Sequence, residues 1–241
     1  MCSPMQLFLA QIQTDTAANL PPEEARHCLK VLRHQVGDHI HCIDGKGHMY
    51  EARITRAHRD EVLLDLLRAH PGWGEHGGHL RLAASPLRLR DRFEWLLEKA
   101  VELGASEIVP VLCQRTDKYK GRFKTARAET ILLTATKQCL RSVIPILREP
   151  ISLKDWLDEG ISGDAFLAVA QATESLTDRL HTVAECQEVT LLIGPEGDFT
   201  DDEQAWAREA GFAPVHLGKT RLRTETAGVY ALAQVKAAWG Y

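Results

Sequence analysis

Two short stretches near the C-terminus hold the residue types and spacing that suit chemistry: Gly194-Pro-Glu-Gly197 within Leu191–Glu203, and Leu217-Gly-Lys-Thr-Arg-Leu-Arg-Thr-Glu-Thr-Ala227. Each starts with apolar residues fit for a buried strand, breaks at glycine and runs into a threonine-led helix start. Glycine lets backbone approach a ligand closely, so such turns suit a small molecule gripped through main-chain donors and acceptors. Gly194–Gly197 is not the Gly-x-Gly-x-x-Gly of a dinucleotide site, nor a phosphate loop, which needs Gly-Lys-Ser/Thr after a four-residue gap. No Gly-x-Ser-x-Gly nucleophile elbow occurs in the chain. Hydride transfer, nucleotide phosphoryl transfer and nucleophilic hydrolysis lose ground. Spacing alone leaves two readings open, a cofactor site and a purely structural turn.

Local charge is the second signal. Between Arg115 and Arg141 lie eight basic residues (Arg115, Lys118, Lys120, Arg122, Lys124, Arg127, Lys137, Arg141) against Asp117 and Glu129, with Tyr119 and Phe123 interleaved. That mixture fits phosphate contacts and base stacking. It equally fits a solvated helix face. Arg88, Arg90 and Arg92 extend the patch.

The surrounding elements must position these residues. Thr200 followed by Glu203 fits a capping box, and Thr224 fits an N-cap. Two strand–turn–helix units so close together place both turns at the carboxyl edge of a parallel sheet, where open α/β sheets bind ligands. From Leu80 onward, strands at Arg81–Ala84, Glu107–Leu112, Phe166–Ala170 and Val189–Ile193 alternate with helices over Arg90–Leu103, Lys124–Leu140 and Glu225–Ala238, the rhythm of such a sheet. Before Leu80 the chain reads differently. A strand over Met5–Ile12, a helix over Pro21–Arg33, and strands at Asp38–Ile43, Met49–Thr55 and Glu61–Leu67 describe a small barrel. Asp44-Gly-Lys-Gly47 supplies a hairpin signal inside it. Pro71-Gly-Trp-Gly-Glu-His-Gly-Gly78 is the best boundary in the chain. The division expected is 1–70, a linker at 71–79, and 80–241.

Composition narrows the class. The 241 residues, 44% hydrophobic and 26% charged, suffice for a core without staples. A formal net charge of -4 gives no global nucleic-acid signal, so such a site must come from clustering. No run approaches the ~18 apolar residues of a membrane span, and the start lacks a signal-peptide pattern. Six scattered cysteines without a Cys-x-x-Cys pair suit a reduced cytosolic protein. His39 and His41 have no partner at a metal-ligand spacing, so no metal is expected.

Leu192-Ile-Gly-Pro-Glu-Gly197 followed by Leu217-Gly218 and Leu222-Arg-Thr-Glu-Thr-Ala227 resembles the RsmE family of 16S ribosomal RNA (uracil-N3) methyltransferases. The likeness spans nearly the whole chain. Val31-Leu-Arg33, Val36-Gly-Asp38 and Asp44-Gly-Lys-Gly47 with Tyr50 are similar to that family's N-terminal domain. Phe93-Glu-Trp95 with Glu98–Gly104, and Lys137-Gln-Cys139 with Arg141 and Pro145, resemble parts of its catalytic domain. The resemblance implies a PUA-like barrel followed by a SPOUT α/β domain with a deep trefoil knot. It also implies S-adenosylmethionine as methyl donor, a cytoplasmic homodimer, and a uridine of the small-subunit decoding region as acceptor.

Carried onto this chain, the resemblance places the cofactor on Ile193, Gly194, Pro195, Glu196, Gly197, Leu217, Gly218, Leu222, Arg223, Thr224 and Thr226. Arg223 takes an electrostatic role toward the uridine, and Glu225 accepts its proton or orients it. Arg26, Lys30 and Arg33 of the barrel, with Arg115, Lys118, Lys120, Arg122 and Arg141, are the expected RNA contacts. Two alternatives stand beside this: an enzyme of the same fold class methylating a ribose 2′-hydroxyl or a tRNA base, and, from another class, a non-catalytic rRNA-binding module. Two positions depart from the family pattern. Asp198 stands where a second glycine is usual, and Thr220 where a basic residue is usual.

Overall fold

The computed structural model describes residues 5–116, 123–182 and 188–240. The chain divides into two compact units, Met1–His76 with Leu133–Ile144, and Gly77–Leu132 with Pro145–Tyr241.

The first unit is a curled six-stranded sheet. Its strands are β1 (Leu7–Leu9), β2 (Gln11–Thr14), β3 (Ala17–Leu20), β4 (His39–Ile43), β5 (His48–His58) and β6 (Glu61–Pro71), in the spatial order β1-β4-β5-β6-β3-β2. The two edge strands, β1 and β2, are consecutive in the chain with only Ala10 between them, so one continuous segment feeds both edges and the sheet curls. Side chains alternate across it as the pleat requires. Ile40, Cys42, Ala52, Ile54, Val62 and Leu64 point inward and join Phe8 and Leu20 in one core.

Asp44 builds the β4–β5 hairpin: its Oδ1 accepts the backbone N–H of Lys46 at 2.7 Å and of His48 at 3.1 Å. The helix expected over Pro21–Arg33 is α1 (Pro22–Arg26), which opens into a wide five-residue turn over His27–Val31. Leu32 N–H then bonds the His27 carbonyl, and Arg33 at φ 61° ends the run.

Residues 133–144 return to this unit. Lys137 pairs with the buried Glu24. Arg141, 4% exposed, places its guanidinium on Glu75, with Nη2 2.7 Å from Oε2. The other carboxylate oxygen of Glu75 accepts the N–H groups of Ser142 and Val143 at 3.0 and 2.9 Å.

The second unit is an all-parallel sheet covered on both faces. Its elements run β7 (His79–Ala84), α2 (Arg90–Glu102), β8 (Glu107–Leu112), α3 (Thr125–Gln138, whose last turns belong to the first unit), β9 (Ile146–Leu147), β10 (Ile151–Ser152), α4 (Leu153–Asp158), β11 (Asp164–Ala168), α5 (Leu176–Thr182), β12 (Glu188–Ile193), α6 (Asp201–Glu209), β13 (Ala213–Val215) and α7 (Thr224–Ala238). The spatial order is β10-β8-β7-β12-β11-β13, with β9 also on β8. Covering both faces explains the apolar runs Leu82–Ala84 of β7, Ile108–Leu112 of β8 and Leu191–Ile193 of β12. Ala83, Val109, Val111, Leu167 and Leu192 pack toward Trp156 of α4 and Ala207 of α6. The other face carries α7, which packs on β7, β12, α2 and α5.

At the amino ends of the strands, away from the motif turns, Arg81 Nε lies 2.6 Å from Glu107 Oε2, and its Nη1 donates to Thr190 Oγ1 at 3.0 Å. Burial works to raise the Glu107 carboxyl, and the Arg81 guanidinium and the His79 ring together outweigh it and hold the group below its ordinary value. A depressed carboxylate contributes stability that is full above its unfolded value and is lost as pH falls through the native one. Glu107→Gln is therefore expected to flatten the acid side of a melting-temperature profile below the ordinary carboxylate value of 4.5. An unchanged acid limb would refute this.

Candidate active site

β12 and β13 both end at the same edge of the sheet, and the turns that follow them face one cleft of about 510 Å³. That volume falls in the range of small-ligand sites, roughly 300–1,000 Å³. Of the residues expected to hold a cofactor, Ile193, Gly194, Pro195, Glu196, Leu217, Gly218, Leu222, Arg223 and Thr224 line it; Gly197 and Thr226 do not. The cleft also takes Ala168 at the end of β11, Val169 and Ala170 just after it, Arg92 of α2, and Asp198, Thr220, Arg221 and Ala227. The signal for the β11 residues was present in the sequence: a third strand of a parallel sheet ends at the same edge. Nothing in the sequence singled out Arg92 from its neighbouring arginines.

The first turn is anchored from several sides. Thr200 and Glu203 form a complete capping box at the start of α6. Glu203, 1% exposed, turns its second oxygen to the Gln114 N–H at 2.6 Å. Arg115 Nη1 donates to the carbonyls of Gly197 and Phe199 at 2.6 and 3.4 Å, a loop-holding contact beyond its expected place on an RNA surface. Asp198 sits at φ 64°, in the left-handed region that favours glycine. Its Oδ1 accepts the Phe199 N–H at 2.8 Å, and local bonding of this kind lets an aspartate occupy such a position. The residue that departs from the family pattern thus stands in a backbone conformation that glycine adopts freely.

A Cβ on Gly194 would lie 2.8 Å from Cε2 of the buried Phe199 ring. Gly194→Ala is expected to displace the turn, costing about 1–3 kcal/mol, and to weaken cofactor binding with little change in RNA affinity. Calorimetric titration of the variant checks this. Wild-type cofactor affinity would show that the turn tolerates the methyl group.

The second turn differs in one detail from expectation. Arg223, not Thr224, is the N-cap of α7: its backbone is extended, its carbonyl accepts the Ala227 N–H at 2.7 Å, and no side chain caps the helix. The helix therefore begins one residue early, and Arg223 stands at the junction with an exposed side chain that makes no ion pair among the described residues. Glu225 follows in the first turn, 7% exposed. Its Oε1 lies 3.5 Å from Arg92 Nη1, and its Oε2 is buried without a hydrogen-bond partner. Gly218, at φ 112°, occupies the left-handed region at the start of this turn.

The expected RNA contacts fall in several places. Arg26, Lys30 and Arg33 are exposed on the first unit. Arg141 lies in its interior on Glu75, so a phosphate contact would first have to break that pair. Lys118, Lys120 and Arg122 lie outside the described residues. Among the described residues no group of His, Cys, Asp and Glu has the arrangement of a metal site, and no helix is long and apolar enough to cross a membrane.

The class of protein follows from these features together with two family models. A model for an RNA methyltransferase domain matches residues 75–236, and one for an RNA methyltransferase PUA domain matches residues 20–67. A ribosomal RNA small subunit methyltransferase E from Synechocystis sp. is 30% identical over 240 residues, 98% of this chain and 76% of the relative. The crystal structure of a ribosomal RNA small subunit methyltransferase E from Neisseria gonorrhoeae, bound to S-adenosyl methionine, is similar with a TM-score of 0.86 and 30% identity over 98% of each chain. A methyltransferase structure from Legionella pneumophila, in complex with the same cofactor, is similar with a TM-score of 0.83 and 28% identity over 99% of this chain and 98% of that one. The chain belongs to the ribosomal RNA small subunit methyltransferase E family of RNA methyltransferases.

Proposed function

We propose that the chain methylates N3 of a specific uridine in 16S ribosomal RNA, in the decoding region of the small subunit, with S-adenosylmethionine as donor. One observation carries the reading: two glycine-containing turns meet on a cleft whose wall holds an arginine without an ion pair among the described residues, Arg223, beside a buried carboxylate with an unpartnered oxygen, Glu225. The residues fit the donor. Main chain around Gly194 and Gly218 would grip its adenosyl and methionyl parts, and bound there it supplies an electrophilic methyl group. Uridine N3 is an imide nitrogen that must lose its proton before it attacks. Glu225 accepts that proton or orients the imide, and Arg223 stabilises the negative charge left on the base.

Residues 1–70 act as a PUA-like RNA-binding barrel, 71–79 as linker, and 80–241 as a SPOUT methyltransferase domain whose C-terminal segment forms a deep trefoil knot. The enzyme works as a cytoplasmic homodimer. Exposed Arg26, Lys30 and Arg33 dock rRNA phosphates, so neutralising them flattens the salt dependence of binding without changing cofactor affinity.

The experiment is incorporation of labelled methyl from S-adenosylmethionine into small subunits lacking the modification, followed by nucleoside mapping. A single 3-methyluridine is expected. A methylated ribose or a methylated tRNA base would establish a related specificity, and rRNA binding without label would establish a non-catalytic module.

A further inference from the structure

Arg92 is the one cleft residue contributed by α2, and its guanidinium is spent on the wall, 3.5 Å from Glu225. Ion pairs at a cleft wall are commonly structural, and then both carboxylate oxygens find donors. Here they do not. Oε1 faces Arg92 while Oε2 is buried and unpartnered. A buried acceptor left unmade keeps its full desolvation penalty, so the site holds a carboxylate oxygen that lacks its donor. Two residues before Glu225 in the chain, Arg223 lines the same cleft and makes no ion pair among the described residues. The cleft wall therefore carries one acceptor, Glu225, and two cationic donors, Arg92 and Arg223.

We infer that these three side chains read the Watson–Crick edge of the acceptor base and make the enzyme specific for uracil. The inference rests on the proposed uridine N3 activity and deepens it. Uracil presents acceptor, donor and acceptor as one carbonyl oxygen, the N3–H and the second carbonyl oxygen. Glu225 takes the N3–H, Arg92 donates to one carbonyl and Arg223 to the other. An unstacked RNA base offers this edge to protein side chains. Cytosine is refused twice over: its N3 lone pair meets the carboxylate, and its exocyclic amino group meets a guanidinium. Such opposed charges and donors build specificity by repulsion as well as by attraction. Arg92 thus joins the substrate site as a specificity-determining residue. The Arg92→Lys change would keep the charge but offer a point donor in place of the planar fork.

The test compares wild-type enzyme with Arg92→Ala and Arg92→Lys on two preparations of small subunits, one with the natural acceptor uridine and one with cytidine in its place. Methyl transfer, competition binding of the two subunits, and cofactor affinity without RNA are measured for each. Arg92→Ala is expected to lower kcat/KM on the uridine subunits by at least about tenfold and to narrow the binding preference for uridine over cytidine, because a site built to hydrogen-bond loses discrimination when its polar partner goes. Cofactor affinity without RNA is expected to stay within about twofold, since the pair faces the base. Arg92→Lys recovers part of the rate. Equal uridine preference in wild type and Arg92→Ala would overturn the inference, as would a loss of cofactor affinity matching the loss of rate. If wild type itself made no 3-methyluridine, the underlying functional reading would fail instead, and the two failures are told apart by the wild-type arm alone.

Discussion

Arg223→Ala is expected to reduce methyl transfer by about 10²–10³-fold in kcat, the usual cost of removing a preorganised group that stabilises developing charge. The side chain is exposed in the cleft on a backbone held at the start of α7, and forms no ion pair among the described residues. Its charge is therefore available to the base. The contacts assigned to the cofactor in this stretch are largely main-chain, and the extended backbone at Arg223 does not need the guanidinium. Cofactor affinity, measured by calorimetry without RNA, is expected to change little. Wild-type turnover with normal cofactor binding would show that Arg223 has no electrostatic role. A parallel fall in cofactor affinity would move it from the base to the donor.

The second large effect is on stability. Glu75→Ala is expected to cost about 3–5 kcal/mol, since breaking one partner of a buried ion pair leaves the other charge uncompensated. Arg141 is 4% exposed and would lose this carboxylate, and so would the N–H groups of Ser142 and Val143. A destabilisation of that size lowers the melting temperature by roughly ten degrees in a chain of this length. Cofactor affinity below the transition is expected to be unaffected, because Glu75 lines no part of the cleft. A shift of only a degree or two would mean that Arg141 reaches solvent when its partner is removed.

Much of the architecture was legible in the residues. The Thr200–Glu203 capping box, the amphipathic α2 and the apolar strands β7, β8 and β12 announce themselves because one local preference agrees with one burial pattern. The pairing of the two motif turns at one cleft follows from the same logic. Short strands escaped. β9 and β10 are two residues each and β13 is three, too brief for any periodicity, and they exist only because the sheet edge recruits them. The N-cap of α7 escaped because threonine is the better capping residue, while the turn after Gly218 delivers Arg223 to that place. Arg92 could not be read from spacing, since its partner Glu225 lies far along the chain and only the packing of α2 against α7 brings them together. Arg141 carries the same lesson with opposite sign: a basic residue in a basic stretch is not always a surface charge.

The return of residues 133–144 to the first unit also bears on how the protein is made. A ribosome that has released residue 76 has delivered every strand of the curled sheet, yet not Lys137, Arg141 or Ser142. Until those residues emerge, Glu24 and Glu75 are carboxylates without their cations, and the cluster of Leu7, Ile43 and Met49 lacks Leu140. The first unit therefore reaches its final state only after part of the second has been synthesised, and a gene fragment cut at the glycine-rich linker encodes an unfinished domain.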